Sequence, residues 1–346
     1  MNMQKLPFTP DSSWGRCLAD FLQRTHERTG SQSTFAHYRA ILQDYLASQP
    51  KTPDQFTKED VLAYLRSPGK GAGREGRAVK FGTQNNRLAA IKSFYAFARD
   101  YGVPDEKGRP QPLLGHLPPT SSIASIQRER PPYRSLTDDE LQAFFAAIDP
   151  ATVQGLKYRA LFLTYFWCAR RRHEISSLTW GAIEEATFVE GDGRSRHGYL
   201  YHWRGKGKSR IDDAAELPEI CYQAIIRYLE ADGRRASIQA DDPIFTTDSS
   251  YHGQGGRDPR RQLSDQAIWS ATKRYAARAG LDPKRVTVHS FRHAAASARY
   301  RAGQGVHEIK TLLRHASLDM TDVYLRELVS PADSGVQLLT SRYGGL

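Results

Sequence analysis

Apolar residues recur at helical spacing in four segments of the first hundred residues. In each segment they return every three or four positions, so they fall on one stripe of a helix. Thr57 and Asp60 can form an imperfect capping box at the start of the third helix, and Gly102 follows the fourth as a stop. The pattern predicts a small helical domain over residues 1–103. The segments run from about residue 11 to 29, 34 to 48, 57 to 65 and 83 to 101.

Prolines interrupt this periodicity over residues 104–134. They exclude long helices and strands, because proline lacks the backbone N–H that both structures use. We therefore expect residues 104–134 to be a linker between two domains. The prolines are Pro104, Pro110, Pro112, Pro118, Pro119, Pro131 and Pro132.

The pattern after residue 134 combines helices with a small amount of strand. Thr137 and Glu140 form a capping box that begins a helix. Residues 198–203, GYLYHW, have strand composition, and the tight basic turn RGKGKSR after them predicts a β-hairpin. We therefore expect a chain that is mainly α with a small β-sheet, and an α+β second domain over residues 135–346 that ends in a C-terminal tail. Further helices are predicted at about residues 156–168, 219–230 and 265–279, from His289 to Gly303, and from Val306 to Leu313.

The composition is strongly basic. Lysine and arginine number 49 against 38 aspartates and glutamates, which gives a formal net charge of +11. Such an excess favours a polyanionic partner, most simply nucleic acid. No membrane partner is expected, because the sequence holds neither an apolar run of spanning length nor a polybasic amphipathic helix.

The cysteines argue against a disulfide framework and against a structural zinc site. Cys17, Cys168 and Cys221 are isolated from one another and odd in number. This usage is typical of a reducing compartment. The N-terminus lacks the apolar core of a signal peptide, so the expected location is the cytoplasm.

The most informative stretch is residues 289–324. His289 and Arg292 are three residues apart on a predicted helix and share a face, and His315 and Tyr324 follow them. The arginine offers a planar fork to two phosphate oxygens, and the histidines can donate hydrogen bonds or move protons near neutral pH. A tyrosine hydroxyl can attack phosphorus when cations offset the high pKa of the phenol. Together these side chains can hold and attack a phosphodiester.

The order and spacing of these residues resemble the tyrosine recombinase (phage integrase) family. In that family the block reads roughly H-x-x-R-H, then L-G-H, then a tyrosine nine residues later. Arg314 stands where the family usually has glycine. The matching residues are His289, Arg292, His293, Leu313, His315 and Tyr324.

A second block, ARRRHEISSLTW, resembles the family pattern G-x-R-x-x-E-[LI]-x-x-L. Its register follows from the glutamate and the two apolar residues after it, Glu174, Ile175 and Leu178. In this register Arg171 matches the family arginine, and Ala169 replaces the usual glycine.

Two neighbouring arginines remain alternatives to Arg171. Arg170 or Arg172 takes the same role if the register slips by one residue. The resemblance implies that Glu174 pairs with the chosen arginine and orients it, rather than taking part in the chemistry.

The basic turn RGKGKSR resembles a family motif of the form G-K-G-x-K-x-R. Lys206 matches its lysine, and Lys208 is the alternative because the turn is one residue short. Residues 207–209, GKS, also fit the end of a Walker A motif, but the earlier glycine is absent because His202 occupies its position. We therefore expect no ATP site. Lys208 and Arg210 are also expected to contact DNA.

A glycine-rich basic loop separates the third and fourth predicted helices. Its glycines match G-x-G-x-x-G, but a helix rather than a strand precedes them, which excludes a dinucleotide site. We expect the loop to contact DNA phosphates, with a merely solvated loop as the alternative. The helical half of the chain resembles the core-binding domain of the family in helix count and position. The basic residues are Arg66, Lys70, Arg74, Arg77 and Lys80.

The resemblance implies that the protein cuts and rejoins DNA through a 3′-phosphotyrosine, with no metal, ATP or other cofactor. The expected partner is double-stranded DNA, bound by a homotetramer at synapsed sites, and the sequence identifies no accessory DNA-bending protein. Two alternatives are a type IB topoisomerase and a DNA-binding protein that has lost catalysis. The implied roles are nucleophile for Tyr324, phosphate clamp for Arg171 and Arg292, general acid for Lys206, proton acceptor for His289 and phosphate hydrogen bonding for His315.

Overall fold

The computed structural model describes residues 6–68, 78–126, 135–203, 213–247 and 261–314. The described residues fall into two compact units, one within residues 6–126 and the other within residues 135–314. Within the described ranges, no helix is long and apolar enough to cross a bilayer.

The first unit is helical, as the apolar pattern predicts. Thr57 and Asp60 form the expected reciprocal capping box, which satisfies two backbone N–H groups at the start of α3. The four apolar stripes meet in one core, at whose centre the hydroxyls of Tyr45 and Tyr95 lie 3.1 Å apart. The helices are α1 (Ser13–Thr29), α2 (Gln32–Leu46), α3 (Lys58–Arg66) and α4 (Phe81–Asp100).

Part of the proline-rich segment packs against this helical core. Its only regular structure among the described residues is a two-stranded hairpin, β1 (Gly102–Pro104) with β2 (Pro110–Pro112). Beyond the hairpin, the side chains of Leu114 and Ile123 are buried among the helices. We therefore propose that the linker between the two units begins after Ile126 rather than at residue 104.

The second unit surrounds its core with helices. An aromatic cluster lies at the centre, where the Phe144 ring is 5.0 Å from the Phe162 ring and 4.9 Å from the Phe291 ring. Thr137 and Glu140 form the expected capping box at its first helix. The helices are α5 (Asp138–Ala146), α6 (Val153–Cys168), α7 (Arg172–Ser176), α8 (Glu219–Ala231), α9 (Asp265–Arg278), α10 (Val288–Arg301) and α11 (Val306–Leu313).

A three-stranded antiparallel sheet completes the second unit. Its order is β3 (Ile183–Val189), β4 (Ser195–Trp203) and β5 (Asp213–Leu217), and Trp203 pairs with Asp213 at the end of the ladder. The sequence predicted the β4–β5 hairpin, and β3 is an additional strand. The pattern of β3 gave no clear signal because most of its side chains are exposed or half-exposed.

Candidate functional site

The arginine run of the second unit begins where α6 ends in a left-handed residue. Ala169 has φ 51° and ψ 32°, and its side chain is buried. A side chain in this conformation costs about 1–2 kcal/mol, which is why glycine is the usual residue there. Among the described residues, the non-glycine positions with positive φ are Ala169 and Arg314. These are the two positions at which the sequence replaces a family glycine.

Arg170 is built into the core. Only 5 % of the residue is exposed. Its Nε donates to the hydroxyl of Tyr201 at 2.7 Å, and its Nη1 donates to the carbonyl of Leu312 at 2.8 Å. Its guanidinium carbon lies 3.9 Å from the centroid of the Trp203 ring. Arg170 therefore joins the sheet to the end of α11, and these contacts favour a packing role.

Arg172 lies on the surface, where its Nη2 is 2.6 Å from a carboxylate oxygen of Asp265 on α9. Exposed pairs of this kind contribute about 0–1 kcal/mol. Arg171 differs because its partner is buried. Its backbone N–H donates to Glu174 at 2.8 Å and its Nη1 donates to the same carboxylate at 3.2 Å, while the Glu174 side chain is only 5 % exposed. Arg171 thus combines a fixed orientation with an accessible guanidinium.

Arg292 lies on α10 with 1 % of its surface exposed. Its Nη1 donates to the carbonyl of Ala169 at 2.7 Å, and its Nη2 donates to the carbonyl of Leu313. These carbonyls belong to the C-terminal ends of α6 and α11, where the helix dipoles carry partial negative charge. A single cation therefore holds two helix ends together, which are the ends that lead into Arg171 and into residue 315.

His289 lies one helical turn before Arg292, on the predicted shared face. The residue retains solvent access, and its ring is 5.0 Å from that of His293. Partial burial lowers the pKa of His289 below its ordinary value, and the positive charges of Arg292 and Arg171 lower it further. The imidazole is therefore neutral at pH 7 and able to accept a proton. Arg292 and Arg171, both predicted site residues, therefore lower the pKa of His289, the predicted proton acceptor.

A groove with a volume of about 320 Å³ opens beside His289. Its lining includes two residues that the sequence did not single out, Trp269 and Lys273 of α9. The Trp269 side chain is 49 % exposed, and Lys273 donates to the carbonyls of Pro283 at 2.6 Å and Val286 at 2.7 Å. The one available sequence signal was an aromatic residue on the polar face of a helix, which by itself does not identify a site.

Several predicted site residues lie outside the described residues. Arg66 and Lys80, at the ends of α3 and α4, are described and exposed. Within the described part of the chain, no group of three or more His, Cys, Asp or Glu residues could hold a metal ion. The predicted residues outside the described ranges are Lys70, Arg74, Arg77, Lys206, Lys208, Arg210, His315 and Tyr324.

Comparison with known sequences identifies one family. The model of the phage integrase family matches residues 134–330. A tyrosine recombinase XerD of Xanthomonas axonopodis pv. citri (strain 306) is 30% identical over 244 residues, which cover 68% of this chain and 69% of that protein. A tyrosine recombinase XerC of Rhodospirillum centenum (strain ATCC 51521 / SW) is 28% identical over 334 residues, covering 90% of this chain and 80% of that protein.

Solved structures resemble the chain in fold. A XerH site-specific recombinase bound to a palindromic difH substrate, in a post-cleavage complex, superposes with a TM-score of 0.62 at 15% identity, covering 95% of this chain and 84% of that chain. A lambda integrase (75-356) dimer bound to a COC' core site superposes with a TM-score of 0.58 at 15% identity, covering 89% of this chain and 94% of that chain.

Proposed function

The chain belongs to the phage integrase family and is a tyrosine-type site-specific DNA recombinase, and from this premise we propose that it cuts and rejoins DNA through a covalent 3′-phosphotyrosine. One grouping carries the proposal: Arg171, held by the largely buried Glu174, and the buried Arg292, one helical turn after His289, place two oriented cations near an imidazole whose pKa burial and these charges lower. Such a grouping suits a reaction in which a proton leaves a nucleophile while negative charge grows on a phosphate.

The proposed reaction exchanges one phosphate ester for another. The hydroxyl oxygen of Tyr324 forms a bond to phosphorus, and the bond from phosphorus to the 5′ oxygen breaks. His289 accepts the phenol proton, and Lys206 donates a proton to the departing 5′ oxygen. Attack by a 5′ hydroxyl on the phosphotyrosine reverses each step. Because the number of ester bonds is conserved, resealing needs no ATP.

Arg171 and Arg292 differ in how exposed their guanidinium groups are before DNA binds. Arg171 has an accessible guanidinium, and Glu174 holds it from behind. Arg292 is buried and donates to two carbonyls. We propose that DNA binding replaces one of those carbonyls with a phosphate oxygen, so that Arg292 becomes the second half of the clamp. His315 is proposed to hydrogen-bond the same phosphate.

The proposed function also includes an oligomeric assembly and contacts with the DNA backbone. We propose that a tetramer acts on two synapsed duplexes of double-stranded DNA, since recombination requires four strand cuts. We also propose that the basic residues at 66–80 and 206–210 contact the phosphate backbone. The cytoplasmic location and the start of the second domain at residue 135 stay predictions, and we propose that the linker begins after Ile126 rather than at residue 104.

The proposal is tested by trapping the covalent intermediate. Footprinting of the full-length protein on DNA that flanks its own gene would supply a bound duplex. A nick near the scissile phosphate lets the cleaved fragment diffuse away and leaves the adduct in place. Wild type should give a protein–DNA adduct that survives denaturation, whereas Tyr324→Phe should bind the duplex and give none.

Other outcomes identify the alternatives. An adduct that persists in Tyr324→Phe contradicts the assigned nucleophile. Binding without any adduct in wild type indicates a DNA-binding protein without catalysis. Relaxation of a supercoiled plasmid, without exchange between two bound sites, indicates a type IB topoisomerase.

A further inference from the structure

Arg314 forms a contact for which the sequence gave no sign. It follows α11 in a left-handed conformation, φ 51° and ψ 50°. Its guanidinium forms an ion pair with Asp213, the first residue of β5, and lies 5.8 Å from the centroid of the Trp203 ring. Trp203 is the last residue of β4 and pairs directly with Asp213. One side chain therefore contacts the ends of both strands.

The ion pair is partly shielded from solvent. The Asp213 side chain is 12 % exposed and the Arg314 side chain 35 %. Such a pair is screened less by salt than the exposed pairs elsewhere in the unit, and loss of the arginine leaves a carboxylate largely removed from water. The contact therefore has a stronger effect on local geometry than an ordinary surface ion pair.

A second arginine strengthens the same junction. Arg170 donates to the hydroxyl of Tyr201 on β4 and to the carbonyl of Leu312 on α11, and its guanidinium carbon lies 3.9 Å from the Trp203 centroid. The end of α11 is thus joined to the strand ends by two independent arginines, one buried and one at the rim.

The positions of these contacts along the chain connect them to the proposed chemistry. Trp203 and Asp213 directly flank the segment 204–212, which contains Lys206. Arg314 directly precedes His315. The ion pair therefore fixes the two ends, Trp203 and Asp213, of the segment that contains Lys206, the proposed general acid. It also fixes the residue before His315, the proposed phosphate ligand.

We propose that Arg314 and Asp213 are positioning residues that set the approach of Lys206 to the departing 5′ oxygen, an inference that rests on the proposed function. The family usually has glycine at position 314, which fits the left-handed backbone without strain and offers no side chain. In this chain an arginine occupies that backbone conformation and supplies a link between α11 and the hairpin.

The experiment removes the pair from either side and restores it in reverse. Arg314→Met and Asp213→Asn each delete one charge at nearly constant size. The double variant Arg314→Asp with Asp213→Arg reverses the pair, and aspartate is among the residues that tolerate the left-handed conformation. Arg301→Met is the matched control, since Arg301 forms an interelement ion pair with Asp138 at 2.6 Å on the surface.

Each variant is assayed on two nicked duplexes from the footprinted site. One carries the normal 5′ oxygen at the scissile phosphate, and the other carries a bridging sulfur there. A thiolate leaves without protonation because the pKa of a thiol is far below that of an alcohol. The sulfur substrate therefore reports cleavage that does not need the general acid, and Lys206→Ala serves as its reference.

We expect Arg314→Met and Asp213→Asn to cleave the oxygen substrate about 10–100-fold more slowly than wild type, by analogy with the loss of residues that orient metal ligands. Most of the loss should disappear with the sulfur substrate, as for Lys206→Ala. The reversed pair should recover cleavage of the oxygen substrate, and Arg301→Met should match wild type on both.

Three results overturn the inference while the proposed function stands. The first is wild-type cleavage by both single variants. The second is an equal loss on both substrates, which means general damage to the site. The third is weaker DNA binding by Arg314→Met alone, which means that Arg314 binds DNA itself. Thermal unfolding of each variant identifies misfolding. If a single variant misfolds, the cleavage rates of the reversed pair decide the inference instead. Absence of a Tyr324-dependent adduct in wild type overturns the proposed function, and the inference with it.

Discussion

Arg292 donates a hydrogen bond at 2.7 Å to the carbonyl of Ala169, a residue 123 positions earlier in the chain. The same guanidinium donates to Leu313, so Arg292 ties together two helix ends that each terminate in a left-handed, non-glycine residue. The buried cation stabilises both turns, the first of which leads into Arg170 and Arg171. Stability and the proposed chemistry therefore depend on the same side chain.

Substitution of Arg292 by lysine should weaken both the stability of the protein and its cleavage of DNA. An ammonium group keeps the charge but cannot span two carbonyls with the planar fork of a guanidinium. We expect loss of about 1.5–3 kcal/mol in the free energy of unfolding, the range for a hydrogen bond to a charged group. Adduct formation should fall about 100-fold or more, by comparison with removal of an oxyanion-hole donor. Urea denaturation and the trapping assay measure the two effects, and Arg301→Lys is the control. Unchanged stability would contradict the clamp between helix ends.

The left-handed conformation of Ala169 predicts an unusual response to glycine. In Ala169→Gly, relief of about 1–2 kcal/mol of backbone strain offsets the loss of a buried methyl group, worth about 0.8 kcal/mol. Stability should therefore stay within about 1 kcal/mol of wild type. Ala160 is the matched control, because it is equally buried but lies inside α6. Ala160→Gly should cost about 2 kcal/mol, from helix propensity plus the lost methyl group. Equal losses for the two variants in urea denaturation would exclude strain at Ala169.

Substitutions of the three consecutive arginines should differ in their effects on cleavage and on stability. Arg171→Ala should reduce adduct formation about 100-fold or more. It should also lower the melting temperature, because the largely buried Glu174 carboxylate loses its guanidinium partner. Arg172→Ala removes an exposed ion pair and should change stability by less than about 1 kcal/mol. Arg170→Ala should lower the melting temperature most, since it breaks two hydrogen bonds and the contact with Trp203. If Arg172→Ala abolishes cleavage and Arg171→Ala does not, the assignment of Arg171 is wrong.

The pKa of His289 should respond to its neighbours. Its folded-state pKa is lowered below 6.5, so the unfolded chain binds a proton more readily than the folded chain at mildly acidic pH. The neutral ring therefore contributes stability that is fully present above pH 6.5 and is lost as the pH falls through the folded-state pKa. Cleavage should decline over the same acidic range, because a protonated imidazole cannot accept the phenol proton.

Arg171→Met should move the pKa of His289 upward, toward its ordinary value, because one neighbouring positive charge is removed. Titration of the imidazole proton resonance by NMR in the DNA-free protein measures this shift, with His289→Gln to assign the resonance. Arg172→Met is the control and should change the titration less than Arg171→Met, since the charge of Arg172 is paired with Asp265. A titration of His289 at or above the ordinary value in wild type would contradict the electrostatic grouping.

Most of the local architecture could be predicted from the sequence. The helices around Thr57 and Thr137 began with capping boxes because the two partners are three residues apart, a distance that short-range sequence encodes directly. The shared face of His289 and Arg292 followed from the same periodicity. The strand β3 gave no such signal because little of it is buried.

The sequence by itself determined the longer helices, but not the five-residue helix α7, together with the order of the motif residues and the family to which the chain belongs. Only the tertiary structure decided what each of the three arginines contacts, which carbonyls Arg292 binds and which residue Arg314 pairs with. The physical reason is distance along the chain. Periodicity and capping join residues within one or two turns, whereas Arg170 with Leu312, and Arg314 with Asp213, meet only after the helices and the sheet have packed.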